Sequence, residues 1–277
     1  MNPVQKALWF VESHFAQEIT LEDLASHAGV SRYHVTRAFS DATGQPLMRY
    51  VRGRRLTEAA RALANGAPDI LAVALEAGYG SHEAFTRAFR EQFGVTPESV
   101  RARASVQSLQ LVEPIRMDQS LLTDLAPPRI VDGSPLHLVG LSERYTCESS
   151  AGVPAQWQRF LPYFGHIPKQ LGNVAYGVKY NFDEAGNFEY LCGVEVPDFS
   201  DVPDNFSRLR VPAQRYAVFA HKRHISEIRR TWATIWARGL GDAGLEAVEG
   251  PELERYGEDF DAMRGIGTVD IWIPIRS

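Results

Sequence analysis

Cysteine is scarce. Cys147 and Cys192 are the only two in 277 residues, with no CxxC and no ligand-like spacing. A disulfide scaffold is excluded, and a reducing cytoplasm is the expected compartment. Long apolar runs are missing too: no stretch approaches the roughly 20 apolar residues a membrane helix needs, so no membrane partner is expected. The first twenty residues, MNPVQKALWFVESHFAQEIT, are interrupted by Glu12, His14 and Glu18. They read as an amphipathic helix and not as a signal peptide. Neither GxSxG, a Walker loop nor HExxH occurs, so the enzymes and nucleotide binders these motifs mark have no support. No cofactor is expected. His221-Lys-Arg-His224 lacks supporting Cys or acid spacing and reads as a strand-end loop, so no metal site is expected either.

What is present is ordinary for a globular chain: 44% hydrophobic and 23% charged residues, at a length that favours two domains over one oversized core. The net charge of −5 argues against a nucleic-acid partner until its distribution is examined. Residues 1–104 hold 12 Lys/Arg against 11 Asp/Glu, whereas residues 105–277 hold 17 against 23. Lysine is nearly absent from the first part. Lys6 is its one lysine, and every cation from Arg32 to Arg103 is arginine, the residue suited to bidentate contacts with phosphate and guanine.

The first hundred residues contain a repeat. Ser31–Phe39 (SRYHVTRAF) recurs as Ser81–Phe89 (SHEAFTRAF), offset by 50 residues. Each copy follows a small-residue segment and a glycine, Gly29 or Gly78, and each precedes Gly44 or Gly94 with Pro46 or Pro97 beyond. Such punctuation predicts a repeated helix-turn-helix. Thr20 caps a helix through about His27, Gly29 supplies the positive φ of the tight turn, and Ser31 caps the second helix. Val35, Ala38 and Phe39 give that helix its core face, which leaves Tyr33, Thr36 and Arg37 exposed. In the second unit Phe85, Ala88 and Phe89 face the core, and His82, Glu83, Thr86, Arg87 and Arg90 face out. Between the units, 47–63 forms one helix of roughly 26 Å, long enough to hold two recognition helices about one DNA turn, roughly 34 Å, apart. Gly53 is its weak point. Arginines 49, 52, 54, 55 and 61 read mostly as a solvated face, with one or two as phosphate contacts. A plain helical bundle left by duplication is the competing reading, but it needs no Thr-Arg pair on each solvent face.

Segment 20–102 closely resembles the AraC/XylS-type DNA-binding domain. The second unit carries the resemblance, with Ile70, Ala74, Gly78-Tyr79, Phe85-x-Arg87-x-Phe89, Phe93-Gly94 and Pro97. The resemblance implies a reader that places two recognition helices in successive major-groove segments of promoter DNA. By position it implies base-reading roles for Tyr33, Thr36 and Arg37, and for His82, Glu83, Thr86 and Arg87. The acidic Glu83 departs from the neutral residues common there; it could accept from a cytosine amine or simply face water.

The linker is expected at 105–130, where period is lost and Pro127-Pro128 marks a boundary; Leu109–Val112 and Leu121–Leu125 could pack on either side. The remainder, 131–277, looks like two β-α-β-β units. The first is a strand at 136–146, a helix near 153–167, and strands at 174–182 and 188–196 joined by a turn at 183–187. The second is a strand at 208–221, a helix near 225–239, and strands near 245–256 and 268–275. The predicted class is therefore multidomain: an all-α double helix-turn-helix domain at 1–104, then an α+β domain with one antiparallel sheet. That sheet is expected to carry both helices on one face and a pseudo-twofold cleft on the other. This half resembles the gyrase-inhibitor-like effector-binding domain, through Arg215–His221, Leu253–Tyr256 and Ile271–Pro274. The domain order is that of Rob-type regulators.

Strand alternation puts Glu195 with Leu191 and Gly193 on one face, and the repeat makes Trp272 equivalent to Glu195, so both are candidates for the cleft. Glu254 and Tyr256 share another strand face, and the resemblance implies a pocket acid and tyrosine there. Tyr176, Tyr190, Trp157, Trp232 and Trp236 are further candidates, the last two reading better as core. Acids among aromatics favour cationic or amphipathic effectors, although either acid could equally be a solvated surface group. The expected function is a DNA-binding regulator, an activator contacting RNA polymerase and sensing a small-molecule effector, and not an enzyme. The alternative is a small-molecule hydrolase using Glu195, Glu254 and Tyr256, with a DNA-binding appendage. A vestigial pocket lies between them.

Overall fold

A computed structural model describes residues 1–15, 17–116, 122–146, 149–183 and 185–276. Cys147, and part of the expected cluster at 121–125, lie outside the described residues. The helices of the first part are α1 (Pro3–His14), α2 (Leu21–Ala28), α3 (Arg32–Thr43), α4 (Leu47–Ala64), α5 (Ile70–Glu76), α6 (His82–Phe93) and α7 (Pro97–Arg103). The second part contains β1 (Arg129–Gly133), β2 (Leu136–Thr146), α8 (Val153–Phe160), β3 (Ala175–Tyr180), β4 (Asn187–Val196), β5 (Ser207–Val211), β6 (Gln214–His221), α9 (Ile228–Thr234), β7 (Glu252–Tyr256) and β8 (Val269–Pro274). Two compact units result: Pro3–Arg32 with Leu47–Met117, and Tyr33–Pro46 with Asp118–Ser277.

Local chemistry sets the helix ends in the first unit. Thr20 and Asp23 form a reciprocal capping box at α2, and Gly29 ends that helix at φ 73°. Asp69, Ser81 and Thr96 cap α5, α6 and α7 through side-chain oxygens. Leu56, Ala60, Leu63, Ile70, Val73, Ala74, Phe85, Phe89 and Val100 make one apolar cluster, against which Val106, Leu109 and Leu111 of the expected linker pack. Arg54 is not on a solvated face. It is 3% exposed, and it binds Glu12 of α1 at 2.9 Å, Glu58 at 3.1 Å and the Val112 carbonyl at 2.9 Å. A buried guanidinium needs such partners to offset its lost hydration. Gly53 is a close-approach site, since a Cβ there would sit 2.7 Å from a Val112 methyl.

The second unit is built on an antiparallel eight-stranded sheet ordered β1-β6-β8-β7-β3-β4-β2-β5. Two departures from the expected strands explain its symmetry. Residues 208–221 split into β5 and β6, and β1 arises at the end of the expected linker. Each half then reads β-β-α-β-β and lends its first strand to the other: β1 pairs with β6, and β5 with β2. The halves meet where β3 pairs with β7, in register Gly177↔Glu254 and Lys179↔Glu252. One sheet face presents Val139, Phe188, Tyr190, Cys192, Val194 and Val196 to Phe160 of α8. The other gathers Leu138, Tyr176, Val178, Leu191, Tyr216, Val218, Leu253 and Trp272.

Candidate functional site

In the second helix-turn-helix, Gly78 turns the chain at φ 81°, and the Ser81 hydroxyl accepts the Ala84 amide at 3.1 Å to start α6. Phe85 and Phe89 are fully buried, which turns Glu83, Arg87 and Arg90 outward, with His82 and Thr86 half-buried. His82 bonds Glu98 at 3.1 Å. Glu83 occupies the first turn, where hydrogen bonds from its own backbone and from Ser81 hold its carboxyl below the ordinary range. Its acidity is thus accounted for by the helix end.

On α3 the core face is as expected, with Val35, Ala38 and Phe39 buried. The expected exposed face is not: Arg37 is only 5% exposed. Its Nε and Nη2 donate to the two carboxylate oxygens of Glu252 at 2.8 and 2.7 Å, and its guanidinium lies 4.2 Å from the Phe182 ring centre. Tyr33 donates to the same Glu252 at 2.9 Å. Thr36 is half-buried. Solvation counted from α3 alone could not foresee a fully buried acid on β7.

The same strand face leads into a cavity of about 1060 Å³. Glu254, 5% exposed, accepts from Trp232 Nε1 at 2.8 Å, Tyr190 Oη at 2.7 Å and Tyr256 Oη at 3.0 Å. All three donors are neutral. Trp157 Nε1 donates to Tyr190 Oη at 3.0 Å and its ring meets Tyr256 edge-on at 4.9 Å. Burial first, then the charge of Glu254, pushes both tyrosines well above their ordinary pKa, so their hydroxyls stay protonated and donate. Gly177 makes this possible, because a Cβ there would sit 2.8 Å from Glu254 Oε2. Lys179 Nζ lies 3.6 Å from the Trp232 ring centre. Chemically this is a desolvated carboxylate lined by aromatic rings, suited to an aromatic cation.

The cavity lies on the helix-bearing face of the sheet, not the opposite one, which corrects the expected cleft. Trp157, Glu254 and Tyr256 line it. Glu195, Tyr176 and Trp272 do not. They lie across the sheet, where Tyr176 donates to Glu195 at 3.4 Å and Trp272 packs on Tyr216 at 5.4 Å. The reason is parity: residues 190 and 195 point to opposite faces of β4, and the unbroken apolar series 188, 190, 192, 194, 196 is the one helices cover. Tyr190 and Trp232, only further candidates above, are direct partners of the acid. Lys179 and Gly177 were missed, and their register opposite β7 is no sequence signal. His221 is buried and bonded to Thr231 at 2.7 Å, and Cys192 is buried, its thiol pushed up to about 12.

Residues 126–276, more than half of the chain, match the model of the GyrI-like small-molecule-binding domain. The chain belongs to that family. Residues 24–103 of this GyrI-like protein match a helix-turn-helix domain of the AraC type, so it is a DNA-binding transcriptional regulator with a small-molecule-binding domain. It is 25% identical over 290 residues to the right origin-binding protein of Escherichia coli K12, covering 99% of this chain and 98% of that one. Over 286 residues it is 24% identical to the transcriptional regulator Rob of Salmonella typhimurium, with the same coverage. The regulator BrlR of Pseudomonas aeruginosa is 33% identical over 149 residues, 53% of this chain and 54% of its own. Among the described residues of the GyrI-like protein, no helix is long and apolar enough to cross a membrane.

Proposed function

We propose that the regulator reads promoter DNA through residues 1–104 and senses an aromatic or amphipathic cation in the cavity of 131–277, joined by 105–130. Base contacts fall to Tyr33, Thr36 and Arg37 of α3 and to Thr86, Arg87 and Arg90 of α6, with His82 and Glu83 at the start of that helix. Glu254 supplies the charge that selects the effector, and Trp157, Tyr190, Tyr256 and Trp232 supply the rings. The observation that carries this reading is the buried Glu254 carboxylate held by neutral donors alone. Three hydrogen bonds make its burial tolerable without cancelling its charge, and a bound cation would do so. The same geometry favours sensing over hydrolysis. Three of the acceptor sites of Glu254 are taken by donors, and both tyrosines are held protonated, so neither tyrosine is a ready base or nucleophile. The regulator acts in the cytoplasm, without enzymatic turnover, and activates through contact with RNA polymerase.

Tetraphenylphosphonium and tetraphenylborate share a shape and differ in the sign of charge, so they isolate the electrostatic claim. Calorimetric titration of the full chain should show the cation binding at least tenfold tighter than the anion. Equal binding, or preference for the anion, would refute the reading.

A further inference from the structure

Helix α3 forms one wall of the cavity: Arg37, Ser40, Asp41 and Gly44 line it together with Lys179, Trp232 and Glu254. Arg37 is therefore engaged twice, as the fork that clasps Glu252 and as a cation on the cavity wall. The clasp has the donor geometry of base reading. A guanidinium reads guanine by sending two N–H groups to the O6 and N7 acceptors, and Glu252 offers two acceptors to the same fork at 2.8 and 2.7 Å. One arginine cannot serve both. Tyr33 is engaged by the same carboxylate, and His34 bonds the Trp236 carbonyl at 3.0 Å.

We propose that Glu252 stands in for guanine, masking the first recognition helix until a cation on Glu254 drives α3 off. The ligand half of this proposal rests on the cation-sensing reading above. Glu252 and Glu254 are two residues apart on one face of β7, so clasp and effector site share one acidic strand. Lys179 ties them together. Its ammonium sits over the Trp232 ring at 3.6 Å and 3.9 Å from Asp41, which itself pairs with Arg37 at 3.3 Å. A cation stacking on Trp232 takes the place of Lys179, and it meets the positive charges of Lys179 and Arg37 on the wall. Undocking α3 removes Arg37 and opens the wall, so effector binding and docking oppose one another. Linkage makes the effect reciprocal: a duplex that captures α3 must tighten the cation by the same factor that the cation tightens the duplex.

The test uses the full chain, with tetraphenylphosphonium as probe and a duplex recovered with that chain by in vitro selection. Hydrogen exchange of residues 32–43 reports docking without DNA, and fluorescence anisotropy reports affinity. Glu252→Gln keeps the shape of the clasp but removes its charge and one acceptor. It should speed exchange in 32–43 and raise DNA affinity about tenfold, as saturating tetraphenylphosphonium should in the wild type. The probe should add nothing further to the variant. Phe182→Ala removes the ring under the guanidinium and should shift both readouts the same way, which covers misfolding of the first variant. Unchanged exchange and affinity in both variants overturn the clasp. If the probe binds by calorimetry but leaves wild-type α3 and DNA affinity unchanged, the linkage is overturned while cation sensing stands. If the probe does not bind at all, cation sensing and the linkage fall together, and the two variants alone decide the clasp.

Discussion

Replacing Glu254 by glutamine separates the charge of the cavity acid from its shape. The carboxylate receives Trp232 on Oε1 and both tyrosines on Oε2. A glutamine has one oxygen for these three donors. With that oxygen toward Trp232, its NH2 group faces two hydroxyls that must turn, and Tyr190 already accepts from Trp157. With the oxygen toward the tyrosines, the NH2 group opposes the indole N–H. Either arrangement leaves about one buried polar group poorly satisfied, so stability should fall by about 1–3 kcal/mol. The effect on ligand is separate. At an effective dielectric of about 20, opposite unit charges about 5 Å apart attract by about 3 kcal/mol, which corresponds to about 150-fold in affinity. Tetraphenylphosphonium should therefore bind Glu254→Gln about two orders of magnitude more weakly, while tetraphenylborate should bind no worse than it does to wild type. Calorimetry measures the affinities and thermal melting measures the stability. A variant that loses both ions equally has only a damaged cavity, and one that loses neither shows that the carboxylate does not select charge; each result defeats the argument.

Arg87→Ala on the exposed face of α6 should weaken binding to the selected duplex by about 1–3 kcal/mol and relax preference at one end of the site; an unchanged footprint and affinity would remove α6 from base reading. Stability should also fall on mild acidification. Burial holds His221 and His34 below the ordinary value of 6.5, so the unfolded chain takes up protons on these side chains first, and stability present above about pH 6.5 is lost as the pH drops below it. His221→Gln, which can still bond Thr231, should flatten the melting-temperature difference between pH 7.5 and 5.5; a variant as acid-sensitive as wild type would refute that assignment.

The helical part was legible because its punctuation is local. The caps at Thr20 and Ser81 and the stops at Gly29 and Gly94 act within a few residues, and they fall where the sequence places them. The sheet was legible as to strands β2, β3, β4 and β8, whose alternation spans six residues or more. It failed at β1 and β5, five-residue strands whose partners lie in the other half of the repeat. The cavity was half legible. Resemblance points to Glu254 and Tyr256, but alternation along β4 does not say which face the helices cover, so Glu195 falls on the wrong one. Arg37 and Arg54 show the same limit from the side of charge. Each looks like a solvated helix cation, and each is buried by a partner far away in sequence, Glu252 and Glu12.

The exchange of first strands between the two halves has a further consequence. Since β1 completes the edge beside β6 and β5 the edge beside β2, neither β-β-α-β-β half contains its own outer strand. A half expressed alone would present β2 or β6 with an open ladder, which is the condition for recruiting a second copy. Two copies of one half, each donating its first strand across a β3–β3 or β7–β7 seam, would rebuild the eight-strand order with true twofold symmetry. In the present chain the connection from β4 to β5 does covalently what symmetry would do in such a pair. One side of the dyad is thereby free to carry the acid Glu254 while Gly177, its pairing partner across the seam, leaves room for the carboxylate.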